Sequence, residues 1–151
     1  MTVSEFLAHD LDLWARRAGE PGWVITGVRT MLSAVGVLVA MIAVVSRTVS
    51  VFWHNVVAMA LVVVFGLTLL AIPVLLRRLP GGLLAITAAA FGLLVAVIVL
   101  YAGLDYLNMT AFEMGAAAIM YGWLLLFIRT VSAAAEGAEE DADGELSAAA
   151  S

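Results

Sequence analysis

Cysteine is absent from this chain of 151 residues, which excludes disulfides, thiolate metal sites and cysteine nucleophiles. Lysine is absent as well, all seven basic residues being arginine; that bias suggests a GC-rich prokaryotic gene. Histidine occurs only as His9 and His54. Charge of either sign is scarce, at 13% of residues, too little for the surface of a water-soluble domain. No Walker loop, no dinucleotide glycine motif and no nucleophile beside a base occurs in the sequence, so neither catalytic residues nor a cofactor or metal site is expected.

What is abundant is apolar sequence, at 64% of the chain. A soluble fold of this size has too little interior to hide that much. Four stretches, about 30–46, 52–76, 83–104 and 109–128, approach or exceed the roughly 20 residues that a helix needs to cross a hydrocarbon core of about 30 Å. The expected fold is an all-α membrane protein. It comprises an amphipathic surface helix in residues 1–20, a bundle of four transmembrane helices in 21–133, and a disordered acidic tail in 134–151.

The N-terminal helix follows from "MTVSEFLAHDLDLWARRAGEPG". Thr2 and Glu5 fit a capping box. Val3, Leu7, Leu11 and Trp14 form one stripe, Arg16 and Arg17 suit the negative end of the helix dipole, and "GEPG" ends it. Its apolar stripe is expected to rest on the bilayer. The tail "AEGAEEDADGELSAAAS" has almost nothing to bury, hence the expected disorder.

Arg16, Arg17, Arg29, Arg77, Arg78 and Arg129 fall on one side of the expected topology and only Arg47 on the other. The positive-inside rule therefore places both termini in the cytoplasm of a multi-pass protein of the cell membrane. "RRLPGG" is a tight turn that makes the second and third spans antiparallel neighbours, and Pro73 is expected to bend the second.

Helical spacing gives three stripes of small residues. They are Ser33, Gly36, Ala40 and Ala43 in the first span, with Arg29 and Arg47 at its ends; Ala85, Ala88, Gly92, Ala96 and Gly103 in the third; and Ala111, Gly115, Ala118 and Gly122 in the fourth. Small side chains let helices approach closely in lipid, where no hydrophobic effect drives association. Gly36, Ala40, Gly92, Ala96, Gly115 and Gly122 are accordingly the candidate helix-packing residues of a compact bundle.

Glu113 stands opposite the Gly115 stripe, on the face of Ala116, Ala117 and Met120. An ionised acid near the bilayer centre costs about 2.5–3.5 kcal/mol or more, and less near the interface. If the small stripe packs inside, Glu113 points elsewhere, and it snorkels to the outer surface, stays protonated in lipid or meets a partner. Arg47, His54, Asp105 and Glu113 form the candidate polar cluster at the outer end, with Arg47 as the expected partner of Glu113 or Asp105. Trp53, Tyr101, Tyr106, Tyr121 and Trp123 read as interfacial aromatics. Asn108-Met109-Thr110 matches the N-glycosylation pattern by chance.

His9 and His54 are expected on opposite sides of the membrane, so they do not meet over one haem iron. No acid or base falls at the middle of any span, which leaves an ion without a relay. The functional expectation is a small membrane protein without catalytic activity. It acts by lateral helix association, as an accessory or assembly subunit or as a homo-oligomer. Its partners are membrane lipids and other membrane subunits or itself, and no nucleic acid. The alternative is a small transporter, channel or holin-like pore whose mouth is the outer polar cluster.

Overall fold

The computed structural model describes residues 9–45, 50–76 and 82–149. Thr2, Glu5, Arg47 and most of the "RRLPGG" turn lie outside the described residues, and so do the expectations placed on them. Helix is the only regular structure among the described residues: α1 (Leu11–Arg17), α2 (Gly22–Val44), α3 (Val51–Leu75), α4 (Leu83–Ile98) and α5 (Met109–Ala149). A π-helical turn, Val99–Gly103, prolongs α4. Four segments are long and apolar enough to cross a membrane: Gly22–Val44, Val51–Leu75, Leu83–Gly103 and Met109–Ala135. By length and composition the chain is an all-helical, multi-pass integral membrane protein.

Two boundaries differ from the sequence reading, one because a charge finds a partner and the other because apolar burial continues beyond a charge. The first span begins at Gly22 rather than about 30, with Pro21 in extended conformation just before it. Arg29 sits inside α2 and pairs with Asp12 of α1 at 2.9 Å. The fourth span runs past Arg129 to Ala135, because Val131 and Ala135 are buried. The backbone stays helical through Ala149, where disorder was expected from 134; alanine and glutamate, plentiful there, are good helix formers.

The helix starts are locally encoded. Ser50 caps α3 by accepting from the Trp53 amide at 3.4 Å. Asn108 Oδ1 accepts from the Ala111 amide at 2.8 Å, so the residue that opens the glycosylation-like triplet is the N-cap of α5. Pro73 stands close to the end of α3, which continues through it to Leu75.

Along their lengths α2 packs on α3 and α4 on α5; α3 and α4 join these two hairpins, and α3 touches α5 only lightly. The buried face of α2 is Val24, Val28, Leu32 and Val35, and that of α5 is Phe112, Ala116, Met120, Trp123, Phe127, Val131 and Ala135, both at spacings of three and four. Trp123 is the centre of the core. It stacks on Phe127 with centroids 5.1 Å apart and meets Phe65 edge-on at 5.7 Å. Its indole N–H donates to the buried Thr87 hydroxyl at 3.1 Å. Trp123 is therefore not an interfacial aromatic, as its position in the sequence had suggested.

Large side chains thus fill the interior, and the small stripes face outward. Gly36, Ala40, Gly92, Ala96 and Gly122 are all exposed. Gly115 is half-buried; a Cβ built there would lie 3.5 Å from Val97. Of these six, only Gly115 lies against a neighbouring helix of the bundle, and the other five face outward. Shape explains it: valine, leucine and phenylalanine interlock across α2–α3 and α4–α5 and supply more dispersion contact than small residues do.

Of the expected N-terminal stripe, Leu11 and Trp14 are buried within the protein together with Ala15, where α1 packs on α5, while Val3 and Leu7 lie outside the described residues. Polar contacts secure this docking: Arg17 donates to the Ala135 carbonyl at 2.9 Å, and Ser132 donates to Asp10 at 2.6 Å. The Ser132 hydroxyl, with help from His9, holds the Asp10 carboxyl below its usual range against the opposing effect of burial.

Candidate functional site

At the opposite end of the bundle from α1, the first turns of α3 and α5 bring two titratable side chains together. His54 Nε2 lies 3.3 Å from Glu113 Oε1, with side chains 11% and 23% exposed. His54 Nδ1 lies 2.8 Å from the Val45 carbonyl oxygen at the end of α2. A carbonyl only accepts, so Nδ1 carries a proton, and the edge toward Glu113 is left to Nε2. An imidazole beside the carboxyl group gives it a polar neighbour, which lowers the cost of placing an acid one turn inside a membrane helix.

Glu113 is turned inward because the Gly115 stripe is turned out. Its helical neighbours Phe112, Ala116 and Met120 are buried. The sequence reading had the two faces correctly opposed and assigned the wrong one to the interior. Of the four candidate residues, His54 and Glu113 are brought together, while Arg47 lies outside the described residues. Asp105 stands apart and makes no ion pair among the described residues.

The part Asp105 plays is in the backbone. It has φ +51°, the one described non-glycine residue with positive φ, a conformation that aspartate tolerates better than most residues. Around it the chain turns from α4 to α5, with the Tyr106 amide donating to the Leu100 carbonyl at 2.8 Å. Tyr101 of the π-helical turn stacks on Phe112 at 4.6 Å and pins this turn to α5. Asp105→Val is expected to lower stability by about 1–2 kcal/mol, while Asp105→Gly leaves it unchanged or slightly higher. Thermal unfolding in detergent checks this; a loss with glycine equal to that with valine would return the carboxylate to the polar cluster.

Beneath the His54–Glu113 pair lies a cavity of about 270 Å³. Ala58, Leu61, Val62 and Phe65 of α3 form one wall, Phe112, Ala116, Ala117 and Met120 of α5 another, and Ile42 and Leu94 complete it. Among the described residues His54 and Glu113 are its only polar lining residues. The space exists because α2 leans on α3, because α3 and α5 barely touch, and because alanines stand where the two helices face each other. From His54 to Phe65 the helix rises about 16 Å, so the cavity spans roughly one leaflet. Met114, a lining residue 71% exposed, marks its opening at the side of the bundle.

The sequence reading did not find this cavity. The face Glu113, Ala116, Ala117, Met120 was visible in the spacing, but not the gap across from it. Among the described residues no three His, Asp or Glu side chains gather as a metal site would require. No protein-family model matches the chain, and neither a curated protein nor a solved structure is found to match it.

Proposed function

We propose that the protein is a non-catalytic membrane subunit that works by lateral helix association, with another copy of itself or with other membrane subunits. One observation carries the reading: the stripes of small residues face away from the core. Ser33, Gly36, Ala40 and Ala43 of α2 are all exposed, and so are Ala85, Ala88, Gly92 and Ala96 of α4. A Cβ added at Gly36 would meet nothing within 4 Å. Smooth faces of this kind let a second helix approach closely, which in lipid is a principal source of helix affinity. The pore reading has less support, since the cavity below the polar pair is apolar and offers an ion no ligands.

Membrane lipids cover the remaining surface, and nucleic acid has no part in this reading. The arginine distribution favours the cell membrane with both termini cytoplasmic. That end would carry the docked α1 and the extension of α5.

A chain without cysteine makes the test clean. Gly36→Cys and Ala40→Cys, oxidised in native membranes, are expected to give a cross-linked dimer. A photoreactive thiol reagent on the same cysteine reports a foreign subunit by product mass. Val74→Cys, also highly exposed, is the control off the stripe. Gly36→Leu should leave the monomer's thermal unfolding unchanged and weaken association at least about tenfold, or about 1.4 kcal/mol. Cross-linking no stronger at positions 36 and 40 than at 74 would overturn the reading.

A further inference from the structure

We propose that the cavity under His54 and Glu113 is a binding site for a lipid-soluble quinone and its quinol, with the ring head at the polar pair and the tail running along the apolar walls toward the bilayer. This inference does not depend on the association reading, since the cavity lies between α3 and α5 and not on the outward stripes of α2 and α4.

The dimensions suit a ligand that arrives from the membrane. About 270 Å³ lies near the lower end of the volumes of small-molecule sites. It holds a ring and the first part of a tail, while the remainder extends into lipid. The roughly one-leaflet depth puts the head near the membrane surface and the tail near the midplane.

The chemistry narrows the head group. Among the described residues no arginine lines the cavity and a carboxyl group does, so a phosphate would enter beside Glu113 without a guanidinium to pair with. A wholly apolar guest would leave the polar pair unused. A neutral head with oxygen at its edge meets both conditions. The Glu113 carboxyl adds a further selection, because it can hydrogen-bond in either sense. As the carboxylic acid, Glu113 donates to a carbonyl oxygen; as the carboxylate, it accepts from a hydroxyl. A quinone presents the first group and a quinol the second, so one site serves both members of the couple. The Val45 carbonyl orients the His54 ring through Nδ1, leaving Nε2 to face Glu113. Phe112 supplies flat apolar surface beside the head, and Phe65 lines the far end of the cavity where the tail lies. Binding is what is proposed here, with no electron transfer by the protein.

The test uses the full chain in phosphatidylcholine nanodiscs, titrated with a decyl-substituted benzoquinone and, separately, with its hydroquinone. Binding is read by quenching of tryptophan fluorescence, since Trp123 contacts the lining residue Phe65, and by the shift in thermal midpoint. Saturable quenching and a raised midpoint are expected with both forms. Ala117→Phe fills the space from a half-exposed position and should weaken both forms at least tenfold. Glu113→Gln keeps the shape but cannot become an anion, and should weaken the hydroquinone more than the quinone. Dodecane and phosphatidylglycerol serve as tail-only and anionic-head competitors and should displace neither form.

Absence of saturable binding to the folded wild-type protein would overturn the proposal. So would unchanged affinity in Ala117→Phe and Glu113→Gln together. Equal displacement by dodecane would make the cavity a groove for lipid tails, and displacement by phosphatidylglycerol a headgroup site; both outcomes defeat it. Disulfide formation between two copies of Met114→Cys that blocks quinone binding would support this opening as the route of entry.

Discussion

Trp123→Ala is expected to be the most destabilising single change in the membrane-embedded core, at about 3 kcal/mol. That is the lower end of the range for truncating a buried tryptophan, because atoms removed from packing in lipid lose dispersion contacts without the larger penalty tied to water. The side chain is 3% exposed. Its removal opens a void between Phe65 and Phe127 and leaves the Thr87 hydroxyl without the indole donor. Trp123→Phe keeps the ring contacts and gives up only the hydrogen bond, so its cost should be about 1 kcal/mol. Unfolding of both variants by a denaturing detergent measures the difference. Near-equal, small losses would mean that Trp123 is not the centre of the core.

The second large effect lies outside the membrane. Ala15→Glu is expected to release α1 from the bundle, because Ala15 is fully buried and a carboxylate there has neither room nor a counter-charge at its own position. Burial of an unpaired charge commonly costs several kcal/mol. A seven-residue helix cannot absorb that, being too short to stay helical by itself in water. Trypsin reads the outcome directly, since Arg16 and Arg17 lie in α1. Cleavage there should be slow in the wild type and at least tenfold faster in the variant. Amide exchange in residues 11–17 should accelerate in parallel, while the four spans keep their protection. Equal cleavage rates would mean that α1 is already free, with its stripe available to the bilayer.

Particular residues show where sequence reasoning reached and where it stopped. The spans were legible because apolar runs of that length have one economical use; Asn108 and Ser50, cap residues standing immediately before apolar sequence, were signals for the helix starts that the reading did not use. The opposition of Glu113 and Gly115 was legible as well, as it depends only on the helical repeat. Which of the two faces is internal was not. Small residues favour close approach wherever a second helix comes, inside the bundle or outside it, and periodicity alone does not say which. The same limit applied to Trp123, since an aromatic at that depth suits either an interface or a core until a partner such as Thr87 is placed opposite it.

His54 and Glu113 show the division most plainly. The sequence by itself determined that an acid and a base start two different membrane helices, that both fall at one end of the bundle, and that the acid shares a face with Ala116, Ala117 and Met120. Only the tertiary structure decided that His54 is the neighbour of Glu113 at 3.3 Å, that the Val45 carbonyl orients the imidazole, and that the alanines of α3 and α5 stand across an open space. The reason is physical. Helical periodicity fixes directions around one axis, whereas a pair or a cavity depends on the distance and rotation between two axes. Those are set by how the valine, leucine and aromatic side chains of all four spans interlock.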